Sequence, residues 1–85
     1  MNILFHKHFR KSYEKLPSKI KEQFKKRLDI FAEDQFNFIL NNHALHGEWQ
    51  AFRSINITND FRALYQSLDR NLVEFFIIDT HSNLY

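Results

Sequence analysis

The sequence predicts an α+β fold of two layers, with an N-terminal strand and a helical hairpin packed on an antiparallel sheet of about four strands. Three observations predict it. Apolar residues recur at helical spacing through the first half of the chain. From Trp49 onward the spacing changes to alternation, the period of a strand. Turn-forming residues then cut this second half into consecutive short segments, which join as a meander.

Asn2-Ile3-Leu4-Phe5-His6 is short and apolar and reads as the first strand. From Lys7 the pattern becomes helical, and Phe5, Phe9, Tyr13 and Leu16 form one stripe. Leu16-Pro17 ends it, because the residue before proline is pushed out of the α region. Pro17 suits the first turn of a second helix over about 17–34, where its missing N–H is not needed. Ile20, Phe24, Leu28 and Phe31 give that helix its apolar face, with Lys and Glu elsewhere. Phe36, Ile39 and Leu40 continue the rhythm into a short third helix or turn near 35–41, which Asn41-Asn42 should end.

In the strand over Trp49 to Ile57, alternation sends Trp49, Ala51, Arg53, Ile55 and Ile57 one way and Gln50, Phe52, Ser54 and Asn56 the other. Asn59-Asp60 turns the chain. The return strand, Phe61 to Gln66, has Phe61, Ala63 and Tyr65 on one face and Arg62 and Leu64 on the other. A second turn at Leu68 to Asn71 leads into Leu72 to Ile78. That strand is apolar apart from Glu74 and should be central.

The 85 residues fit one domain over 1–85, with the ten Phe residues as the obvious core filling. The absence of Cys excludes a disulfide framework, a zinc ribbon and a thiol nucleophile. No run reaches the roughly 7–15 apolar residues of a signal peptide or the ~20 of a membrane span. The expectation is a soluble, cytoplasmic protein with no membrane partner. Residues 1–42 hold nine Lys/Arg against five Asp/Glu, while residues 43–85 hold three against five. A basic half suits a polyanion or an acidic protein partner, although solvated helix faces read the same way.

Polar groups that do not read as core are His43, His46, Asn56, Asp60, Arg62, His81 and Tyr85. Strand parity puts Ser54 with Asn56 and Asp60 with Arg62, and across a hairpin such residues can share a face. His43 enters from the loop before that hairpin, and His81 and Tyr85 from the segment after the last strand. This set fits RNA cleavage without a metal or other cofactor. A base takes the ribose 2′-OH proton, a cation stabilises charge on the phosphoryl oxygens, and an acid protonates the leaving 5′-oxygen. Histidine serves either proton role, its ordinary pKa being about 6.5. The planar fork of Arg62 suits the phosphate, and Tyr85 can stack on a base.

Asn56, His46 and Arg53 complete the groups expected to contact RNA or phosphate. Arg53 shares the parity of Trp49 and Ile55, which equally fits a snorkelling or ion-paired residue. His6 and His8, at the strand–helix junction, read as structural or solvated. Zinc is disfavoured: His43 and His46 are three apart with no further ligand cluster in view.

His43-Ala44-Leu45-His46-Gly47-Glu48-Trp49, then Phe52-Arg53, Asp60, Tyr65 and the closing Thr80-His81-Ser82-Asn83-Leu84-Tyr85 resemble YafQ-type toxins of the RelE/ParE toxin–antitoxin superfamily. The resemblance covers His43 to Tyr85; the first half agrees in element order and basic helices. It implies a ribosome-dependent mRNA endonuclease (mRNA interferase) that cuts in the A site, is held inactive by a cognate antitoxin, and is a monomer when alone. It implies catalytic roles for His43, Asp60, His81 and Tyr85, and a phosphate-holding role for Arg62. The family has a histidine where this chain has Asn56, which cannot transfer a proton near neutral pH. The alternatives are a ParE-like toxin of the same fold that binds and poisons gyrase, and a non-toxic RNA- or protein-binding module with a decayed site.

Overall fold

The computed structural model describes residues 1–85. Strand β1, Asn2–Phe5, leads directly into helix α1, Lys7–Glu14. His6 caps α1: its Nδ1 accepts from the His8 N–H at 3.0 Å, satisfying a donor that the first helical turn leaves free. The predicted stripe buries Phe9 and lays Tyr13 and Leu16 against the core. Helix α2, Ser18–Glu33, buries Phe24 and Phe31. Pro17 stands one residue ahead of it, with φ −60°, and its carbonyl accepts from Ile20 and Lys21 N–H at 3.0 and 3.1 Å.

The third helix shrinks to one 3₁₀ turn, Phe38–Leu40, started by the Asn37 side chain accepting from Ile39 N–H at 3.1 Å. Asn41 ends it at φ 46°, a left-handed conformation that Asn tolerates better than most residues. Only Leu40 of this segment is buried. Phe36 and Phe38 are 61% and 92% exposed, so not every Phe fills the core.

The sheet has five strands in the order β1-β5-β4-β3-β2. Strands β3 (Arg53–Asn56), β4 (Phe61–Asp69) and β5 (Leu72–Thr80) form the predicted antiparallel meander. Two details correct the expected sheet: it has five strands and is mixed rather than wholly antiparallel. A two-residue strand β2, His43–Ala44, adds to the edge of β3. β1 pairs parallel with β5, from Asn2 opposite Leu72 to Phe5 opposite Phe75, because the helical hairpin carries the chain across. β5 thus has a strand on each side over Leu72 to Phe75, as predicted of a central strand, whereas Ile77 to Thr80 pairs with β4 alone.

The strand predicted from Trp49 begins only at Arg53. Gly47–Trp49 forms a 3₁₀ turn, with Gly47 at φ 70°, and Ala51 turns the chain again at φ 81°. Alternation holds only along a pleated strand, so the parity of Trp49 with Ile55 fails. The Trp49 ring packs edge-on against Phe52 instead, 5.6 Å between centroids.

The main core lies between the helices and one sheet face, where Ile55, Ala63, Tyr65, Phe75 and Ile78 point. The Phe75 ring lies within 5.3–5.9 Å of Phe9, Phe24, Phe31 and Tyr65. The buried Tyr65 hydroxyl accepts from Gln35 Nε2 and Asn42 Nδ2 at 2.9 and 2.7 Å, so its polar end is satisfied. On the opposite side, Trp49 and Phe52 pack on Phe76, and the closing helix α3, His81–Leu84, lies against β5. There Ser54, Leu64 and Leu84 are buried outside the main cluster. No helix is long and apolar enough to cross a membrane.

Candidate active site

Asn56, Arg62 and Asp79 lie side by side across β3, β4 and β5, on the face away from the main core. At the end of this row opens a cleft of about 410 Å³ lined by Asn59, Asp60, Arg62, Thr80, His81 and Ser82, none of them hydrophobic. A more apolar groove of about 400 Å³, between α1 and α2, is lined by Phe5, Phe9, Tyr13 and Phe24 among others and holds no histidine. Of these two, only the polar cleft carries a histidine.

The cleft is built largely from bonds to backbone atoms. In the β3–β4 turn, Thr58 Oγ1 accepts from the N–H groups of Asp60 and Phe61 at 3.2 and 3.1 Å. Arg62 Nη1 donates to the carbonyls of Thr58, Asn59 and Phe61 at 2.8, 3.1 and 3.1 Å, so the arginine clamps the turn it follows. Nη2 and Nε of the fork remain to meet an anion. The Asp60 carboxylate is exposed, while its carbonyl accepts from His81 N–H at 2.7 Å. The turn thereby fixes the start of α3.

Thr80 caps α3 by accepting from Asn83 N–H at 3.3 Å. Asp79 Oδ1 accepts from Thr80 N–H at 2.7 Å and Asn83 Nδ2 at 3.1 Å. Trp49 Nε1 donates to the Leu84 carbonyl at 3.1 Å, which ties the loop before β3 to α3. These bonds hold the His81 backbone and leave its imidazole exposed, 4.8 Å from the Tyr85 ring between centroids.

The remaining predicted residues are placed differently. His43, on β2, shares the face of Ser54 but sits two strands from β4, roughly 10 Å at the usual strand spacing. It does not line the cleft. Its Nδ1 lies 2.8 Å from the Asn41 carbonyl. A carbonyl only accepts, so Nδ1 carries a proton and Nε2 is the ring nitrogen left free of this bond. His46 is exposed ahead of the Gly47–Trp49 turn and makes no capping bond. Asn56 belongs to the row, with its Oδ1 buried and unpartnered, as is Ser54 Oγ.

Arg53 faces the helical layer, away from the cleft: Nε donates to Asn42 Oδ1 at 2.8 Å and the guanidinium lies 5.2 Å over the Phe36 ring. The packing reading of Arg53 is the one its surroundings match. The structure thus brings together Asp60, Arg62 and His81, with Tyr85 beside them and Asn56 in the adjoining row. His43 lies further along the same side of the sheet, and His46 is in the loop that follows β2. No three His, Asp or Glu side chains gather closely enough to hold a metal ion.

Sequence reasoning missed Asp79, Thr80, Ser82 and the anchoring role of Trp49. A signal for Asp79 was present. Counting back from the β4–β5 hairpin, where Asp69 faces Leu72, brings Asp79 opposite Arg62, because the two register shifts between them cancel.

The family model described as a bacterial toxin of type II toxin–antitoxin system, YafQ, matches residues 1–85. No curated protein sequence matches. Among solved structures, YafQ from E. coli strain BL21(DE3) superposes with a TM-score of 0.81 at 17% identity, over 99% of this chain and 97% of that one. A chain of the E. coli DinJ–YafQ toxin–antitoxin complex gives 0.78 at 18% identity, over 99% and 96%. The YoeB/ParE toxin from Agrobacterium tumefaciens gives 0.78 at 18% identity, over 95% and 99%. At such identities these likenesses establish the fold.

Proposed function

The chain belongs to the YafQ family of type II toxin–antitoxin toxins, and from that premise we propose that it is an mRNA endonuclease acting on translating ribosomes and silenced by a cognate antitoxin. One observation carries the proposal: Asp60, Arg62 and His81, a base, a cation and an acid, line the same polar cleft.

In the reaction proposed, Asp60 takes the proton from a ribose 2′-OH. The 2′-oxygen attacks the adjacent phosphorus while the bond to the 5′-oxygen breaks. His81 gives that leaving oxygen a proton, so the products are a 2′,3′-cyclic phosphate and a 5′-hydroxyl. The free edge of the Arg62 guanidinium stabilises the charge that builds on the phosphoryl oxygens. Tyr85 stacks on a neighbouring base. His43, with Nε2 open, is the counterpart of His81 if the strand crosses the sheet toward β2. In the DinJ–YafQ complex an antitoxin binds a toxin of this fold. The basic helices here suit an acidic, wrapping partner of that kind.

Expression without the antitoxin should arrest growth. Primer extension should then map new 5′ ends within codons of translated messages, and these should vanish when translation of the message is blocked. Intact transcripts during arrest, with DNA supercoiling lost, would overturn the nuclease reading in favour of gyrase poisoning. No arrest at all would remove the toxin activity itself.

A further inference from the structure

A second cleft flanks the first. β1 stops at Phe5, opposite Phe75, so the remainder of β5 has no strand on that side and α1 lies along it. Only the Ile78 N–H, reaching Ser12 Oγ at 3.4 Å, crosses between them. Here opens a cleft of about 460 Å³ whose α1 wall carries His8, Lys11 and Lys15 and whose floor includes Ile77 and Asp79. Spacings of three and four place the three basic residues on one helix face, in a line about 10 Å long at ~1.5 Å per residue. Asp79 lines this cleft and Thr80, its neighbour, lines the polar one, so the two meet at the end of β5.

The chain from Lys7 to Arg27 carries nine Lys/Arg against two Glu, and the cleft draws Lys11 and Lys15 from this basic stretch. The single carboxylate within it, Asp79, is engaged through Oδ1 by Thr80 N–H and Asn83 Nδ2.

His8 supplies an independent observation. Its imidazole lies flat on the Phe76 ring, centroids 5.0 Å apart and planes 10° from parallel. Phe76 is in turn braced by Phe52 and Trp49 at 5.5 and 6.3 Å. The His8 backbone is fixed by its N–H bond to His6 Nδ1, yet its side chain is exposed. A flat ring, backed by other rings and open on its outer face beside a row of cations, has the composition of a single-stranded nucleic-acid track: stacking platform plus positive groove.

We propose that this cleft holds the RNA strand flanking the scissile bond, with Lys11 and Lys15 on its phosphates and one base stacked on His8. The inference rests on the endoribonuclease reading and assigns that enzyme a second RNA subsite.

Its test is fluorescence anisotropy with a short labelled single-stranded RNA, titrated across salt concentrations, in the His81→Ala protein so that the probe stays intact. Removing both lysines (Lys11→Gln with Lys15→Gln) should lower the slope of log affinity against log salt by about 1.4, from ~0.7 per phosphate contact. His8→Ala should weaken binding about fivefold or more with the slope unchanged, and His8→Phe should restore it. Unchanged slope and affinity in these variants, or no binding by the parent, overturns the proposal. So does normal binding of free RNA combined with a cleavage loss seen only on ribosomes, which would turn these cations toward the ribosome. If the wild-type protein cuts no message while the variants still lose RNA affinity, the nuclease reading fails and the track stands.

Discussion

The two faces of the sheet are held by different forces. On the helix side, Phe9, Phe24, Phe31, Tyr65 and Phe75 interlock ring against ring, and the core follows from burial of apolar area. On the other side, Arg62 clamps three turn carbonyls, Asp60 holds the His81 N–H through its carbonyl, and Trp49 reaches the Leu84 carbonyl. Burial tolerates small shifts, whereas directional bonds fix positions. The first face therefore sets stability and the second positions the candidate site. Substitutions should separate the two properties.

The largest loss of stability is expected from Phe75→Ala, which empties the centre of the ring cluster. It should cost about 3–5 kcal/mol, a large share of the ~5–15 kcal/mol available to a domain. Urea unfolding measures it, and a loss below about 1 kcal/mol would break the contrast between the faces. Trp49→Phe keeps an apolar ring but removes the bond to the Leu84 carbonyl. Its effect on stability should be about 0.5–1.5 kcal/mol, while cleavage on ribosomes falls roughly tenfold because α3 no longer fixes His81. Equal cleavage at that stability loss would show that α3 is held without the indole. Arg53→Ala, on the packed face, should reduce stability by about 1 kcal/mol through its lost bond to Asn42 and leave the cleavage rate of the folded protein unchanged. A drop in cleavage would return Arg53 to the RNA-contacting set.

The helix side was the more legible in the sequence. Stripes such as Ile20, Phe24, Leu28 and Phe31 report burial through local spacing alone, and β4 kept its predicted parity, with Ala63 and Tyr65 facing the helices and Leu64 away. The site side was legible in its residues but less so in their arrangement. Asp60, Arg62 and His81 meet because a turn and a hairpin register bring them together, and both are short-range features. His43 and Arg53 were harder to place, since they depend on the path of residues 45–52. That path turns on Gly47 at φ 70° and Ala51 at φ 81°. A positive φ at alanine answers to tertiary contacts, and nothing in the neighbouring residues announces it.

The central claim, that the cleft of Asp60, Arg62 and His81 cuts RNA, meets its most direct test in His81→Ala. Cleavage of a ribosome-bound message by this variant and by the wild-type protein should be compared by primer extension at matched unfolding midpoints. The account predicts cutting about 10²–10⁴-fold slower in the variant, at the same codons and with no change in stability. Equal cutting by both proteins would contradict it.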